Sequence, residues 1–189
     1  MGAYSPVPFI TGQLQFSIEE NILVPVIHAM KRENRPYTGV IYAGLIITST
    51  GPKVLEFNAR FGDPETQVLL MRMKSDLVPV LLSAEKTTLE DATVEWHDGA
   101  SLCVVMTSKG YPDSYEKGFP ISGLETIKAF SHVQVFHAGT SRRDGKVTTN
   151  GGRVLGVTAR GKDLQGAQNV AYGAIEKLSF AGAHYRRDI

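Results

Sequence analysis

The sequence has one cysteine, Cys103, so no disulfide can close within it and no thiolate cluster can hold a metal. A reducing, cytoplasmic compartment is the expectation that follows. No apolar run approaches the roughly 20 residues of a membrane-spanning helix. No basic, apolar leader-like stretch opens the chain, so no membrane partner is expected. The net charge is only +1, which argues against a broad nucleic-acid surface. There is no internal repeat and no low-complexity tract. No glycine-rich loop with a phosphate-cradling lysine occurs, and no serine–histidine or cysteine–histidine set suggests nucleophilic catalysis. His28 has no second ligand at metal spacing. His132 and His137 fall on opposite faces of a strand. The one tryptophan, Trp96, reads as a packing residue.

What is present is an ordinary globular balance. Hydrophobic residues make up 42% of the 189 positions and charged residues 21%, enough apolar content for one large domain or two small ones. The most informative stretch is 53–65. Val54, Leu55 and Phe57 suit a strand. Side chains two apart share a strand face, so Glu56 and Asn58 lie side by side and Phe57 turns toward the core. One anionic and one neutral oxygen ligand on a face suit Mg²⁺ carrying phosphate oxygens. Arg60 follows with a fork suited to carboxylate or phosphate. Gly62 permits a tight turn, Asp63 is a good N-cap, and Pro64 suits the first helical position. A polar edge strand followed by a capped helix accounts for the same spacing, which leaves both readings open.

Around it the chain reads as follows. Residues 1–16 form a loop, punctuated by Gly2, Pro6, Pro8 and Gly12. A helix over 17–34 opens with a Ser17/Glu20 capping box and kinks at Pro25. A strand over 37–48, apolar enough to be buried on both faces, turns at 49–52 into the Glu56 strand as an antiparallel hairpin. A further helix starts at Ser75 with Asp76 in its first turn. A polar stretch over 87–98 marks a domain boundary. In the strand over 101–107, Leu102, Val104 and Met106 point one way and Cys103 and Val105 the other, so Cys103 is a small core residue and not a nucleophile. Residues 141–146 form a charged turn. The loop 149–153 holds two glycines beside Arg153, suited either to close approach by a ligand or to a plain turn. Asp163 caps a last helix with an apolar stripe from Leu164 to Leu178.

The run Glu56-Phe57-Asn58-Ala59-Arg60-Phe61-Gly62-Asp63-Pro64-Glu65-Thr66-Gln67 resembles the signature of the phosphoribosylamine–glycine ligase family, also called glycinamide ribonucleotide synthetases, within the ATP-grasp superfamily. Met1-Gly2-Ala3-Tyr4-Ser5-Pro6, Tyr42-Ala43-Gly44-Leu45, Arg72-Met73-Lys74-Ser75-Asp76-Leu77, Phe136-His137-Ala138-Gly139-Thr140 and Thr149-Asn150-Gly151-Gly152-Arg153-Val154-Leu155 resemble it too, in the family's order. The similarity runs the length of the chain but covers only the C-terminal portion of a family chain. The resemblance implies an α+β fold: a C-terminal part of an ATP-grasp domain, hairpin plus helices, over 1–95, followed by a small mixed β/α domain over 96–189. It implies ligation of glycine to 5-phosphoribosylamine through a glycyl phosphate, with ATP as co-substrate and Mg²⁺ or Mn²⁺ as metal. Glu56 and Asn58 become metal ligands and Arg60 the catalytic clamp. Gly2, Ala3, Tyr4, Ser5, Gly62, Asp63, Glu65, Asn150, Gly151, Gly152 and Arg153 become substrate-binding residues. Many ATP-grasp enzymes carry a further acidic ligand on the preceding strand, and residues 38–48 contain no acid. The missing N-terminal part of the same enzyme is the implied partner. Two other readings stand beside this one: a different ATP-grasp ligase, or a fragment that binds nucleotide or a partner without catalysis.

Overall fold

The strand expected over 101–107 forms as Ala100–Thr107, and every residue in it is buried in the computed structural model, which describes residues 1–189. It runs through the middle of a four-stranded antiparallel sheet. Numbered in chain order, the strands are β1 (Gly2–Ser5), β2 (Tyr42–Thr48), β3 (Gly51–Asn58), β4 (Ala100–Thr107), β5 (Val133–His137), β6 (Thr140–Arg143), β7 (Lys146–Thr149) and β8 (Arg153–Gly161). The large sheet has the order β1-β4-β8-β5, with β2-β3 and β6-β7 as separate antiparallel pairs. The helices are α1 (Gly12–Ile18), α2 (Val24–Arg32), α3 (Glu65–Arg72), α4 (Leu77–Glu85) and α5 (Leu164–Ile175). Mixed helices and antiparallel sheets make this the expected α+β class.

The chain divides into two compact units, each assembled from separate segments. The first takes Met1–Pro6, Asp63–Met73 and Trp96–Ile189; the second takes Val7–Gly62 and Lys74–Glu95. The chain passes between the units at Pro6, Gly62, Met73 and Glu95.

In the first unit the period of two on β4 sorts side chains to two helices. Leu102, Val104 and Met106 join Leu155, Val157 and Ala159 of β8 against Ala167, Ala171, Ala174 and Ile175 of α5. On the other face Cys103 and Val105 meet Val68 of α3, with Met1 and Ala3 alongside. Asp163 caps α5, its Oδ1 accepting from the Gly166 N–H at 2.7 Å. The opening residues are not a loop: β1 pairs with β4 from Gly2↔Val104 to Ser5↔Ser101. An exposed backbone donor row on β4 outweighs the local turn signals of Gly2 and Pro6. The expected charged turn over 141–146 is the β6-β7 hairpin, whose Asp144 and Gly145 both take positive φ, as a two-residue Asp-Gly turn requires. Trp96, read as a packing residue, is 47% exposed and bridges to Met73.

The second unit opens on helix. Thr11 is the N-cap of α1, accepting from the Leu14 N–H at 3.2 Å, so the helix starts earlier than the Ser17/Glu20 pattern suggested. Pro25 brings no broken helix. One π-helical turn, Glu19–Leu23, sits ahead of it, and the Val24 N–H donates to the Glu19 carbonyl five residues back. That wider turn accommodates a ring which cannot donate and which would crowd the carbonyl four residues back. Asp76 is the N-cap of α4, not a first-turn residue, and accepts from the Val78 N–H at 2.9 Å. The hairpin β2-β3 pairs from Tyr42↔Asn58 to Thr48↔Gly51, as expected. Its apolar run is not buried on both faces, since Ile46 and Ile47 are exposed. A sheet face is buried by a layer packed on it, and a two-stranded pair brings none of its own. None of the unit's apolar side chains is buried.

Candidate functional site

In the second unit, β3 presents Glu56 and Asn58 on one face. The Asn58 Nδ2 donates to Glu56 Oε1 at 2.9 Å. Rotating the amide by half a turn would place Oδ1 where Nδ2 now lies, which gives two hard oxygens at one point. That donor set fits Mg²⁺, which takes one or two protein oxygens and completes its shell with phosphate and water. The pairing slips between Gly44↔Glu56 and Leu45↔Val54, which leaves Leu55 as an extra residue. Such a bulge bends a strand and re-aims its side chains. The cross-strand neighbour of Glu56 is Gly44, so no side chain flanks the carboxylate from that position. Phe57 does turn to the opposite face, but it is 40% exposed and not in a core, because the hairpin's second face has no cover. Arg60 is exposed and folds back on the chain, its Nη1 donating to the Phe61 carbonyl at 2.9 Å. Gly62 is buried.

In the first unit, the expected cap at Asp63 does not form; Pro64 takes the N-cap position of α3. The Asp63 carboxylate is engaged elsewhere. Oδ1 accepts from Gln67 Nε2 at 2.8 Å, and Oδ2 lies 3.6 Å from Arg153 Nη1. The same Nη1 donates to the Asp63 carbonyl at 2.9 Å, and Arg153 Nε donates to the Tyr111 hydroxyl at 3.0 Å. The Tyr111 hydrogen bond, aided by the negative charges of Asp63 and Glu65, pushes the Arg153 pKa up, so the guanidinium is a permanent cation here. Glu65 opens α3 and is half-buried.

The loop Asn150, Gly151, Gly152 is tied down. The Asn150 N–H donates to the Gly139 carbonyl at 2.7 Å, Ser108 Oγ donates to the Gly151 carbonyl at 2.9 Å, and the Ser108 N–H donates to the Gly152 carbonyl at 2.8 Å. A Cβ on Gly152 would lie 2.2 Å from the Tyr111 ring, so glycine there lets the ring lie over the loop. Asn150 itself is exposed.

On β1, Ser5 Oγ accepts from Arg72 Nη1 at 3.0 Å. Tyr4 packs against the main core, Ala3 lies against the Cys103 face, and Gly2 lies beside Ile189. Asp63, Glu65, Arg153 and the glycine loop therefore belong to one unit, and Glu56, Asn58, Arg60 and Gly62 to the other. Sequence reasoning gave no role to Gln67, Arg72 or Tyr111. Gln67 Oε1 and Arg72 Nε are buried without a hydrogen-bond partner. Gln67 and Arg72 both lie in the runs that resemble the family, whereas Tyr111 lies outside them.

Two models of one family match this chain. Residues 101–189 match the phosphoribosylglycinamide synthetase C domain, and residues 1–66 match the phosphoribosylglycinamide synthetase ATP-grasp (A) domain. The chain belongs to the phosphoribosylglycinamide synthetase family. The phosphoribosylamine–glycine ligase of Rhodopirellula baltica is 52% identical over 190 residues, covering 100% of this chain and 44% of that protein. The trifunctional purine biosynthetic protein adenosine-3 of Gallus gallus is 49% identical over 100% of this chain and 19% of its own length. Among solved structures, the phosphoribosylamine–glycine ligase of Thermotoga maritima superposes with a TM-score of 0.86 at 33% identity, over 100% of this chain and 46% of that one. The Kluyveromyces lactis urea carboxylase, at 15% identity and TM-score 0.65, shares the fold. The chain thus spans less than half the length of the phosphoribosylamine–glycine ligases it matches. No helix is long and apolar enough to cross a membrane.

Proposed function

We propose that this chain carries the C-terminal side of a phosphoribosylamine–glycine ligase of de novo purine biosynthesis. The reaction joins glycine to 5-phosphoribosylamine and consumes ATP. A carboxylate is a poor electrophile, so glycine is first phosphorylated to glycyl phosphate, and the amine then displaces phosphate. The observation that carries this reading is the Glu56–Asn58 pair on β3, within a sequence 52% identical to a ligase of that name.

Glu56 and Asn58 hold Mg²⁺, or Mn²⁺, in this reading. Bound there, the metal neutralises charge on the ATP phosphates during phosphoryl transfer. Arg60 gives up its hydrogen bond to the Phe61 carbonyl and stabilises charge on the transferring group. Asp63 and Glu65, with Arg153 held by Tyr111, bind and orient the charged substrates, while the ordered loop Asn150, Gly151, Gly152 and the Gly2, Ala3, Tyr4, Ser5 strand frame them. The partner is an N-terminal part such as the longer relatives carry, and the compartment is cytoplasmic.

A second reading, that the chain alone binds nucleotide without turnover, is favoured by one observation: Glu56 and Arg60 are exposed. Calorimetric titration of the 189-residue chain with Mg–ATP, alongside Glu56→Gln, tests the site. Saturable binding that weakens at least about tenfold in the variant is expected for a lost charge-assisted metal ligand. Equal binding by both proteins removes the metal assignment.

A further inference from the structure

The far end of β8 carries a cluster that the ligase reading does not use. His97, Asp98, His132, Arg160, Gly161 and Lys162 line a cavity of about 390 Å³, all within the first unit. Arg160 stands seven residues after Arg153 on the same strand, so at about 3.3 Å per residue the two lie about 23 Å apart. The cavity is therefore distinct from the Asp63–Arg153 constellation.

Its charge is unbalanced. Arg160 and Lys162 face one carboxylate, Asp98, and neither cation takes part in an ion pair. Arg160 is half-buried, and its one side-chain hydrogen-bond contact is His132 Nδ1, 3.4 Å from Nη2. A half-buried guanidinium without an anion is an incomplete arrangement, since its fork suits two oxygens of one group. His132 completes the wall in a left-handed backbone conformation, φ 67, that non-glycine residues seldom adopt. Its carbonyl accepts the Arg160 N–H at 2.9 Å, which fixes the imidazole beside the guanidinium. Sparsely populated backbone held by its surroundings gathers at functional sites.

We infer that this cavity binds the dianionic phosphate of a small phosphate monoester, with Arg160 as the bidentate donor, Lys162 as the second cation and His97 and His132 as additional donors. The volume lies at the small end of the range for ligand pockets, roughly 300–1,000 Å³, which suits a pentose phosphate better than a nucleotide. Asp98 opposes the anion and keeps binding modest.

Amide NMR of the whole chain, titrated at fixed ionic strength with inorganic phosphate and separately with ribose 5-phosphate, tests this. Saturable shifts at His97, His132 and Gly161 are expected with both ligands. Tighter binding of ribose 5-phosphate would place the sugar in the cavity; equal binding would place only the phosphoryl group there. The double variant Arg160→Gln, Lys162→Gln should weaken either ligand at least about tenfold, as expected for two lost charge-assisted contacts. Asp98→Asn should strengthen binding a few fold and decides the matter if the double variant does not fold. Glu56→Gln should leave these titrations unchanged, so failure of the ligase site cannot be mistaken for failure of this one. Shifts that rise without saturating, an unchanged affinity in the double variant, or an unchanged or weaker affinity in Asp98→Asn would overturn the proposal.

Discussion

At the scale of single residues, burial separates groups that react from groups that pack. Cys103 has no accessible surface, and burial, with the charges of Asp63 and Glu65, pushes its thiol from 9.0 up to about 11. The folded state thus keeps a proton that the unfolded state releases between those values. Folding stability is therefore fully present below pH 9 and falls as pH rises toward 11, by about 2–3 kcal/mol. Urea midpoints at pH 8 and pH 11, compared between the native chain and Cys103→Ala, should show the alkaline loss shrinking in the variant. An identical loss in both would mean that other groups cause it. Glu56 behaves in the opposite way. It is exposed, so Glu56→Gln should move the melting temperature little, within about 0.5 kcal/mol in stability, while Mg–ATP binding falls. A large loss of stability would instead make Glu56 a structural residue. The side-by-side placement of Glu56 and Asn58 was legible because strand geometry has a period of two. The roles of Arg72 and Tyr111 were not, because each depends on a partner far along the chain, in the Arg72–Ser5 and Arg153–Tyr111 hydrogen bonds. Gln67 donates to Asp63 only four residues back, a pairing that helical spacing permits but does not announce.

At the scale of elements, local signals succeeded where one segment decides its own state. Leu164–Ile175 has both an apolar stripe and its own cap, and it forms as read. Asp163→Ala should cost about 1 kcal/mol, read as a lower urea midpoint at unchanged slope. No change in midpoint would show that water or another group caps α5 equally well. Local signals failed where a distant strand decides. Gly2–Ser5 is a strand only because β4 offers it a ladder, and no pattern within those residues announces that. The Asp63-Pro64 sequence looked like cap and first turn, but Arg153 and Gln67 draw the carboxylate away. The loop at Gly152 belongs to the same class. Gly152→Ala places a methyl against the Tyr111 ring and should displace it, with a loss of about 1–3 kcal/mol from overpacking. Tyr111→Ala in the same background should recover part of that loss. If it recovers none, the clash lies elsewhere.

At the scale of the whole molecule, the two units are unequally supplied with core. Every buried apolar side chain belongs to the first, which has a sheet with a helix on each face. The second leaves Phe16 at 63%, Leu55 at 68% and Val78 at 60% exposed, more apolar surface than a self-sufficient unit leaves open. Relatives of the family are more than twice as long as this chain, so further structure is available in them to cover such a surface. Hydrogen exchange on the isolated chain should therefore show strong protection in β4, β8 and α5 and weak protection in the second unit's segments. On the proposed ligase reading the same imbalance governs activity. Glu56 and Arg60 are open to water, where the proposed interactions of metal and guanidinium with phosphate would be screened; exclusion of water is what strengthens such interactions. The isolated chain should thus bind Mg–ATP weakly and release no phosphate in a glycine- and phosphoribosylamine-dependent assay. Adding a polypeptide that carries the N-terminal part of a close relative should restore protection in the second unit and turnover together, because both depend on covering the same surface. Turnover by the isolated chain comparable to that of an intact relative would overturn this account, since the nucleotide site would then be complete within these residues.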